Sequence, residues 1–188
     1  FDRVAALDAL RKSFGALPPR PPLGADDRAP RVQEMAPAAQ PIVLSHRGDP
    51  GQAAAVVSWP TGGGMAGIGE SRQLEILTQL FSNRLMDRMR EKLGASYAPQ
   101  VMNNWPVDLD NGGMIMALAQ LQPGGVRIFF DTTSEIAADL IARPPSADEL
   151  ARVTEPLKQQ LTRASSSGAF FMYQLEGASE DSSKFAAV

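Results

Sequence analysis

The longest regular pattern of apolar and polar positions lies between residues 71 and 93. Apolar side chains recur there at intervals of three and four residues, which predicts an amphipathic helix with one continuous apolar stripe. Ser71 is a candidate N-cap, and Gly94 is a candidate left-handed residue that ends the helix. The stripe consists of Leu74, Leu77, Leu80, Phe81, Leu85 and Met89. We expect this helix to be the central element of the core.

Apolar runs on both sides of this helix have the length and composition of β-strands. Residues 41–46 and 52–59 flank a turn-rich stretch and are predicted to pair as a hairpin. Residues 95–102 contain Pro99 and predict an edge-like strand, and residues 113–121 predict a strand that pairs with it in a second hairpin.

Helical spacing returns at both ends of the chain. Residues 1–14 predict a helix that Gly15 ends, and Pro123 is suited to the first turn of a helix that stops before Pro144. Ser146 and Glu149 have the spacing of a capping box and predict a further helix. The chain is therefore predicted to be an α+β domain, with an antiparallel sheet and helices packed on one face.

A proline-rich segment divides the chain. Residues 16–41 contain seven prolines and no helical period, which is typical of an extended connector. We therefore interpret residues 1–40 as the end of a preceding strand–helix unit plus the connector, and residues 41–188 as the α+β domain.

Composition and charge narrow the choice of partners. With 44% hydrophobic and 21% charged residues, the 188-residue chain has the composition of a folded domain. A formal charge of -3, with both signs mixed, argues against nucleic acid and anionic lipid as partners. No apolar run reaches membrane-spanning length, so no membrane span is predicted. Cysteine is absent, which removes disulfides and thiolate metal sites.

Candidate chemistry in the chain itself is sparse. His46 is the sole histidine, whereas a catalytic zinc site needs three suitable protein ligands, so we expect no zinc in this chain. The glycine loop before the central helix fits two phosphate-binding patterns, Gly62-x-Gly64-x-x-Gly67 and Gly64-x-x-x-x-Gly69-Glu70-Ser71. Glu70 stands where the second pattern needs lysine and would repel phosphate. A structural loop is therefore favoured over a nucleotide site.

The end of the central helix carries a family resemblance. The segment NRLMDRMREKLGASYAPQ resembles the C-terminal, zinc-free domains of the M16 (insulinase/pitrilysin) metallopeptidases, in which a pattern of the type SRL-x-x-x-LRE-x-x-G-x-x-Y recurs. The match covers Asn83–Leu85, Arg90–Lys92, Gly94 and Tyr97, while Met89 replaces the usual leucine. Phe14-Gly15-Ala16-Leu17-Pro18 also resembles a Phe-Gly-x-Leu-Pro element of the family.

This resemblance implies a fold and a role. The fold would be that of M16 peptidases and LuxS-like metallohydrolases, and Arg90 and Tyr97 would contact the substrate backbone beside a zinc ion. That zinc would be held by a catalytic domain in the same polypeptide or in a partner chain, so the present chain would be a fragment without the zinc site. On the residues alone, Arg90 also fits a helix C-terminus and Tyr97 ordinary sheet packing.

Three hypotheses follow. The chain is the substrate-binding half of a zinc metalloendopeptidase, with a peptide as substrate, or it is an inactive scaffold subunit of the same fold, or it is a nucleotide-binding module. Retention of both Arg90 and Tyr97 favours the first, because a scaffold does not need them. The compartment is left open.

Overall fold

The computed structural model describes residues 1–19, 36, 38, 40–94, 98–178 and 182–187. The chain forms two compact units, residues 1–31 and residues 32–188. In the first unit, helix α1 spans Arg3–Lys12, and a 3₁₀ turn follows at Phe14–Ala16. Asp2 caps α1 because its carboxylate accepts hydrogen bonds from the Val4 and Ala5 amides at 2.8 and 3.2 Å. The predicted first helix is thus present but ends before Phe14.

The second unit is an α+β domain with a three-stranded antiparallel sheet. Its strands and helices are β1 (Ala53–Gly62), α2 (Ile68–Leu93), β2 (Gln100–Asn104), β3 (Asn111–Leu121), α3 (Val126–Ala142), α4 (Ala147–Ala164) and α5 (Gly168–Gln174). Among the described residues of this unit, 3₁₀ turns lie at Met65–Gly67, Pro123–Gly125 and Ser182–Ala187. No helix among the described residues is both long and apolar enough to cross a bilayer.

The sheet has the order β1-β3-β2, which confirms one predicted hairpin and corrects the other. β2 and β3 pair as neighbours in sequence, as predicted. Residues 41–46 form no strand, and Ile42, Val43 and Leu44 are 80%, 84% and 87% exposed. β1 pairs instead with β3, because that register places Val57 and Trp59 over the helices beside Ala117 and Ile115.

The core lies between one face of the sheet and helices α2 and α3. Small side chains on this face, Ala55, Ala117 and Ala119, leave room for bulky residues of the helices. Those bulky residues are Phe81, Leu85, Met89, Phe129 and Ile136. Since the predicted stripe supplies three of them, the central helix has the position expected from the sequence.

Helix α2 begins earlier than predicted and ends where predicted. It starts at Ile68 with Gly67 as its N-cap, so the prediction that Ser71 caps the helix was wrong. The 3₁₀ turn before it already directs the chain into the helix. At the other end Gly94 has a φ of 85°, and its amide donates to the Arg90 carbonyl at 2.9 Å. Only glycine adopts such a φ without steric cost, which explains the end of the helix.

Ion pairs hold α2 against α3 and α4. Arg84 binds Glu149 through two hydrogen bonds of 3.0 and 3.3 Å. Arg88 pairs with Asp139, and Lys92 lies 2.9 Å from Glu135. Glu149 also belongs to the predicted capping box with Ser146, which is present at the start of α4. One carboxylate thus both caps α4 and joins it to α2.

Low pH is expected to weaken the ion pair between Arg84 and Glu149. The hydrogen bond from Arg84, followed by that from the Ser146 amide, lowers the pKa of Glu149 below its ordinary value of 4.5. A lowered folded-state pKa stabilises the fold above the ordinary value and loses this effect as the pH falls through the lowered one. Urea unfolding between pH 7 and pH 3 should therefore show a falling free energy of unfolding below about pH 4.5, and Glu149→Gln should flatten this dependence.

Glutamine is chosen because it retains the capping box while removing the charge. In an Arg84→Met background, Glu149→Gln should no longer change the pH dependence to the same extent, since the partner charge is gone. An equal change in both backgrounds would contradict a role for the Arg84 pair.

Candidate functional site

Arg90 lies in the last turn of α2, on the exposed side of the helix. The neighbouring cations on the same half of the helix, Arg84, Arg88 and Lys92, are each paired with a carboxylate of α3 or α4. Within the described ranges no ion pair and no side-chain hydrogen bond joins Arg90 to another residue, and its carbonyl accepts a hydrogen bond from the Gly94 amide. Its guanidinium therefore keeps its five donors for a group outside these residues.

Tyr97, the other predicted site residue, lies outside the described residues. Its neighbours in the chain are placed, however. Gly94 ends α2 and Gln100 begins β2, an outer strand of the described sheet. The predicted edge-like strand is thus present from Gln100 onward. Tyr97 lies three positions before the first residue of this strand and seven positions after Arg90.

The glycine loop that precedes α2 is filled by protein groups. The Trp105 ring covers it so closely that a Cβ on Gly67 would lie 2.4 Å from the ring and one on Gly62 2.9 Å from it. The Gly64 amide donates to the Pro106 carbonyl at 2.8 Å, and the Trp105 indole donates to the Gly64 carbonyl at 3.0 Å. The contacts with Trp105 explain by packing why glycine occupies these positions. A phosphate cradle needs free backbone amides, whereas the Gly64 amide is already bonded. They support the structural interpretation of the loop.

His46 stabilises a turn through both ring nitrogens. The Gly48 amide donates to Nδ1 at 3.0 Å, so Nε2 carries the proton and donates to the Gln52 carbonyl at 3.0 Å. Neither nitrogen is then free to bind a metal ion. In the part of the chain that the structure describes, no three His, Cys, Asp or Glu side chains lie close enough to hold a metal ion.

A cavity of about 530 Å³ lies beside the glycine loop and was not anticipated from the sequence. Lys184, which is only 5% exposed, reaches its wall. Its ammonium group donates to the Asp108 carboxylate and, at 2.9 Å, to the Glu176 carbonyl. A Cβ on Gly177 would lie 2.6 Å from the Lys184 Nζ, so glycine at that position makes room for the ammonium.

Lys184 therefore fastens the C-terminal 3₁₀ turn to the loop before β3. No local pattern could have revealed this pair, because 76 residues separate Lys184 from Asp108. Asp108 neutralises the buried charge, so the cavity does not offer an uncompensated cation to an anionic ligand.

Comparison with known proteins adds no family assignment. No protein-family model matches the chain, and no curated protein matches it.

Proposed function

We propose that this chain is the zinc-free, substrate-binding half of a zinc metalloendopeptidase of the insulinase/pitrilysin type. The catalytic half, with its zinc ion, would belong to the same polypeptide or to a partner chain, and a peptide would be held between the two. The resemblance around Arg90 and Tyr97 motivates the proposal. The observation that carries it is that Arg90, unlike the neighbouring cations of α2, has no carboxylate partner among the described residues.

Three of the four cations near the end of α2 are used to hold helices together, and Arg90 is the exception among the described residues. A guanidinium that has no carboxylate partner can bind a carbonyl oxygen of a ligand with a charge-assisted hydrogen bond. Its position on a rigid helix of 26 residues restricts the direction in which it reaches. This supports a binding role for Arg90 over a purely structural one.

Arg90 would donate to the substrate backbone, and the Tyr97 hydroxyl would add a second donor. In peptide hydrolysis negative charge grows on the scissile carbonyl oxygen, so donors aimed at this oxygen bind the transition state more strongly than the substrate. Each donor of this kind contributes about 1.5 to 3 kcal/mol, or roughly ten- to a few-hundredfold in kcat/KM.

In the complete enzyme, Arg90→Ala and Tyr97→Phe are expected to lower kcat/KM by these factors while the melting temperature stays nearly unchanged. Tyr97→Phe removes only the hydroxyl and keeps the ring. Steady-state kinetics on a fluorogenic peptide, together with the zinc content of each variant, provide the measurement. Arg127→Ala is the matched control, because Arg127 is an exposed arginine of α3 that pairs with Asp131 of the same helix.

Wild-type turnover in both variants would contradict the proposal. So would a loss of activity that merely follows unfolding. Either result would favour a structural role for both side chains, whereas absence of any peptidase activity in the complete protein would favour the alternative of an inactive scaffold subunit of the same fold.

A further inference from the structure

The cavity beside the glycine loop adjoins a smaller one of about 140 Å³. Four residues line both parts: Met65, Val107, Asp108 and Lys184. The larger part, at about 530 Å³, falls within the usual range of small-molecule sites. We call the two parts together the loop cleft.

Specific contacts hold the walls of the loop cleft in place. Lys184 is 5% exposed, and its ammonium group joins the C-terminal 3₁₀ turn to Asp108. At the glycine loop, the amide of Gly64 is bonded to Pro106 and its carbonyl to Trp105. A ligand would therefore enter a site that is already formed, so little ordering of the protein opposes binding.

Part of the lining is apolar. Met65 and Val107 line both parts, Ala66 lines the larger part, and Ile68 and Tyr173 line the smaller part. Methylene groups of a ligand are removed from water against such side chains, which favours binding. The ring of Tyr173 adds an aromatic group, and aromatic rings attract cations.

The charged part of the lining is predominantly negative. Asp108, Asp110 and Glu176 contribute three carboxylates, and Lys184 is the one cation among the described lining residues. Lys184 is paired with Asp108, whereas no ion pair joins Asp110 or Glu176 to another described residue. The two carboxylates in excess repel an anionic ligand and attract a cationic one.

The combination of charge and apolar surface restricts the ligand further. Carboxylates alone would not define a site, because exposed ones are ordinarily hydrated. Among the described residues, these three do not lie close enough together to hold one metal ion. An organic cation with an aliphatic stem fits better, because its charged group binds a carboxylate while its stem covers the apolar wall.

We propose that the loop cleft binds an organic cation with an aliphatic stem, either a free amine or the basic side chain of a peptide. Its charged group binds Asp110 or Glu176, and the pair of Lys184 with Asp108 stays intact. The cleft lies at the start of α2, whereas Arg90 lies in the last turn, about 33 Å away along the helix axis. The proposal therefore does not depend on the role of Arg90.

Isothermal titration calorimetry on the intact chain at neutral pH tests the proposal. Diaminopentane is the probe for a free amine, and N-acetyl-arginine amide is the probe for a basic side chain. Pentanediol and glutarate are the neutral and anionic controls. Saturable binding of at least one cation and no binding of either control are expected. Binding of the diamine alone would identify a free amine as the ligand, and binding of the arginine derivative would identify a basic side chain.

Variants locate the binding in the loop cleft. Replacing both excess carboxylates, Asp110→Asn with Glu176→Gln, should weaken the affinity at least about tenfold. Ala66→Phe adds bulk at an exposed position of the wall without changing the charge and should abolish binding. Asp87→Asn is the matched control, because Asp87 is an exposed carboxylate of α2 outside the cleft, and it should leave the affinity unchanged.

Circular dichroism confirms that each variant is folded. Three results would overturn the proposal. The first is no saturable binding of either cation up to about 10 mM. The second is equal affinity for pentanediol, which would show that charge is not recognised. The third is wild-type affinity in the folded double variant or in folded Ala66→Phe, which would place the binding elsewhere.

Discussion

Phe129→Ala is expected to lower the free energy of unfolding by about 3 to 5 kcal/mol, the largest effect of any substitution considered. Phe129 is 0% exposed and lies at the centre of the core between α3 and the sheet. Its removal forfeits both the transfer free energy of the ring and the contacts that line the cavity left behind. The sheet side of the same core cluster includes three alanines, whose side chains are too short to fill this space.

The measurement is urea unfolding followed by circular dichroism, together with the melting temperature. For a domain of this size the change corresponds to a drop of about 6 to 20 °C. Phe171→Ala removes the same side chain from a position on α5 that is 41% exposed and should cost much less. Equal losses in the two variants would show that the core is not centred on Phe129.

Gly63→Ala is expected to destabilise the fold by about 3 kcal/mol, because the added methyl group meets backbone on every side. A Cβ on Gly63 would lie 2.3 Å from the Leu109 carbonyl oxygen and 3.0 Å from the Asn111 amide nitrogen. Backbone cannot rotate aside as a side chain can. The loop between β2 and β3 must therefore move, and Trp105 should lose its hydrogen bond to Gly64.

Gly69→Ala is the matched control and should have the opposite sign. Gly69 lies in the first turn of α2 with nothing within 4 Å of an added Cβ, so alanine should stabilise the helix by about 0.5 to 1 kcal/mol. Urea unfolding gives both free energies, and tryptophan fluorescence reports on the packing of Trp105. If Gly63→Ala were as stable as Gly69→Ala, the glycine loop would not be held by packing.

Local patterns predicted most of the regular elements. The apolar stripe of α2, the apolar run of β3 and the capping box of α4 each follow from neighbouring residues, and the structure contains all three. Gly94 likewise ends α2 because its backbone conformation is local. The α+β class followed from the order of these elements.

Predictions that depended on distant residues were less reliable. The apolar run of residues 41–46 predicts a strand, but β1 pairs with β3 instead, and Trp59 packs against Phe81 with ring centroids 5.5 Å apart. The glycine loop matches phosphate-binding motifs because a motif specifies only the spacing of residues. It contains no information about the Trp105 ring that packs against the loop. Glu70 already favours the structural interpretation from the sequence, and the contact with Trp105 adds a packing reason for the glycines.

The sequence predicts only part of the candidate site. The family resemblance identified Arg90 as a candidate site residue. The ion pairs of its neighbouring cations with carboxylates of α3 and α4 could not be inferred without the positions of those helices. Tyr97 lies outside the described residues, so its part in the site stays a prediction. The Lys184 pair was not predicted, because it joins segments that are far apart in sequence.

The strand order also governs when the sheet can be completed during synthesis. β1 is synthesised first, but its partner β3 follows α2 and β2 in the chain. Ala53 can therefore pair only after its partner residue, Leu121, has been synthesised. The β2–β3 hairpin closes a short loop and can form early, whereas docking β1 requires closure over all of α2. Until then Val57 and Trp59 have no sheet neighbour. A nascent or truncated chain that stops short of Leu121 therefore exposes an apolar strand with unpaired edges, a form prone to aggregation and to capture by chaperones.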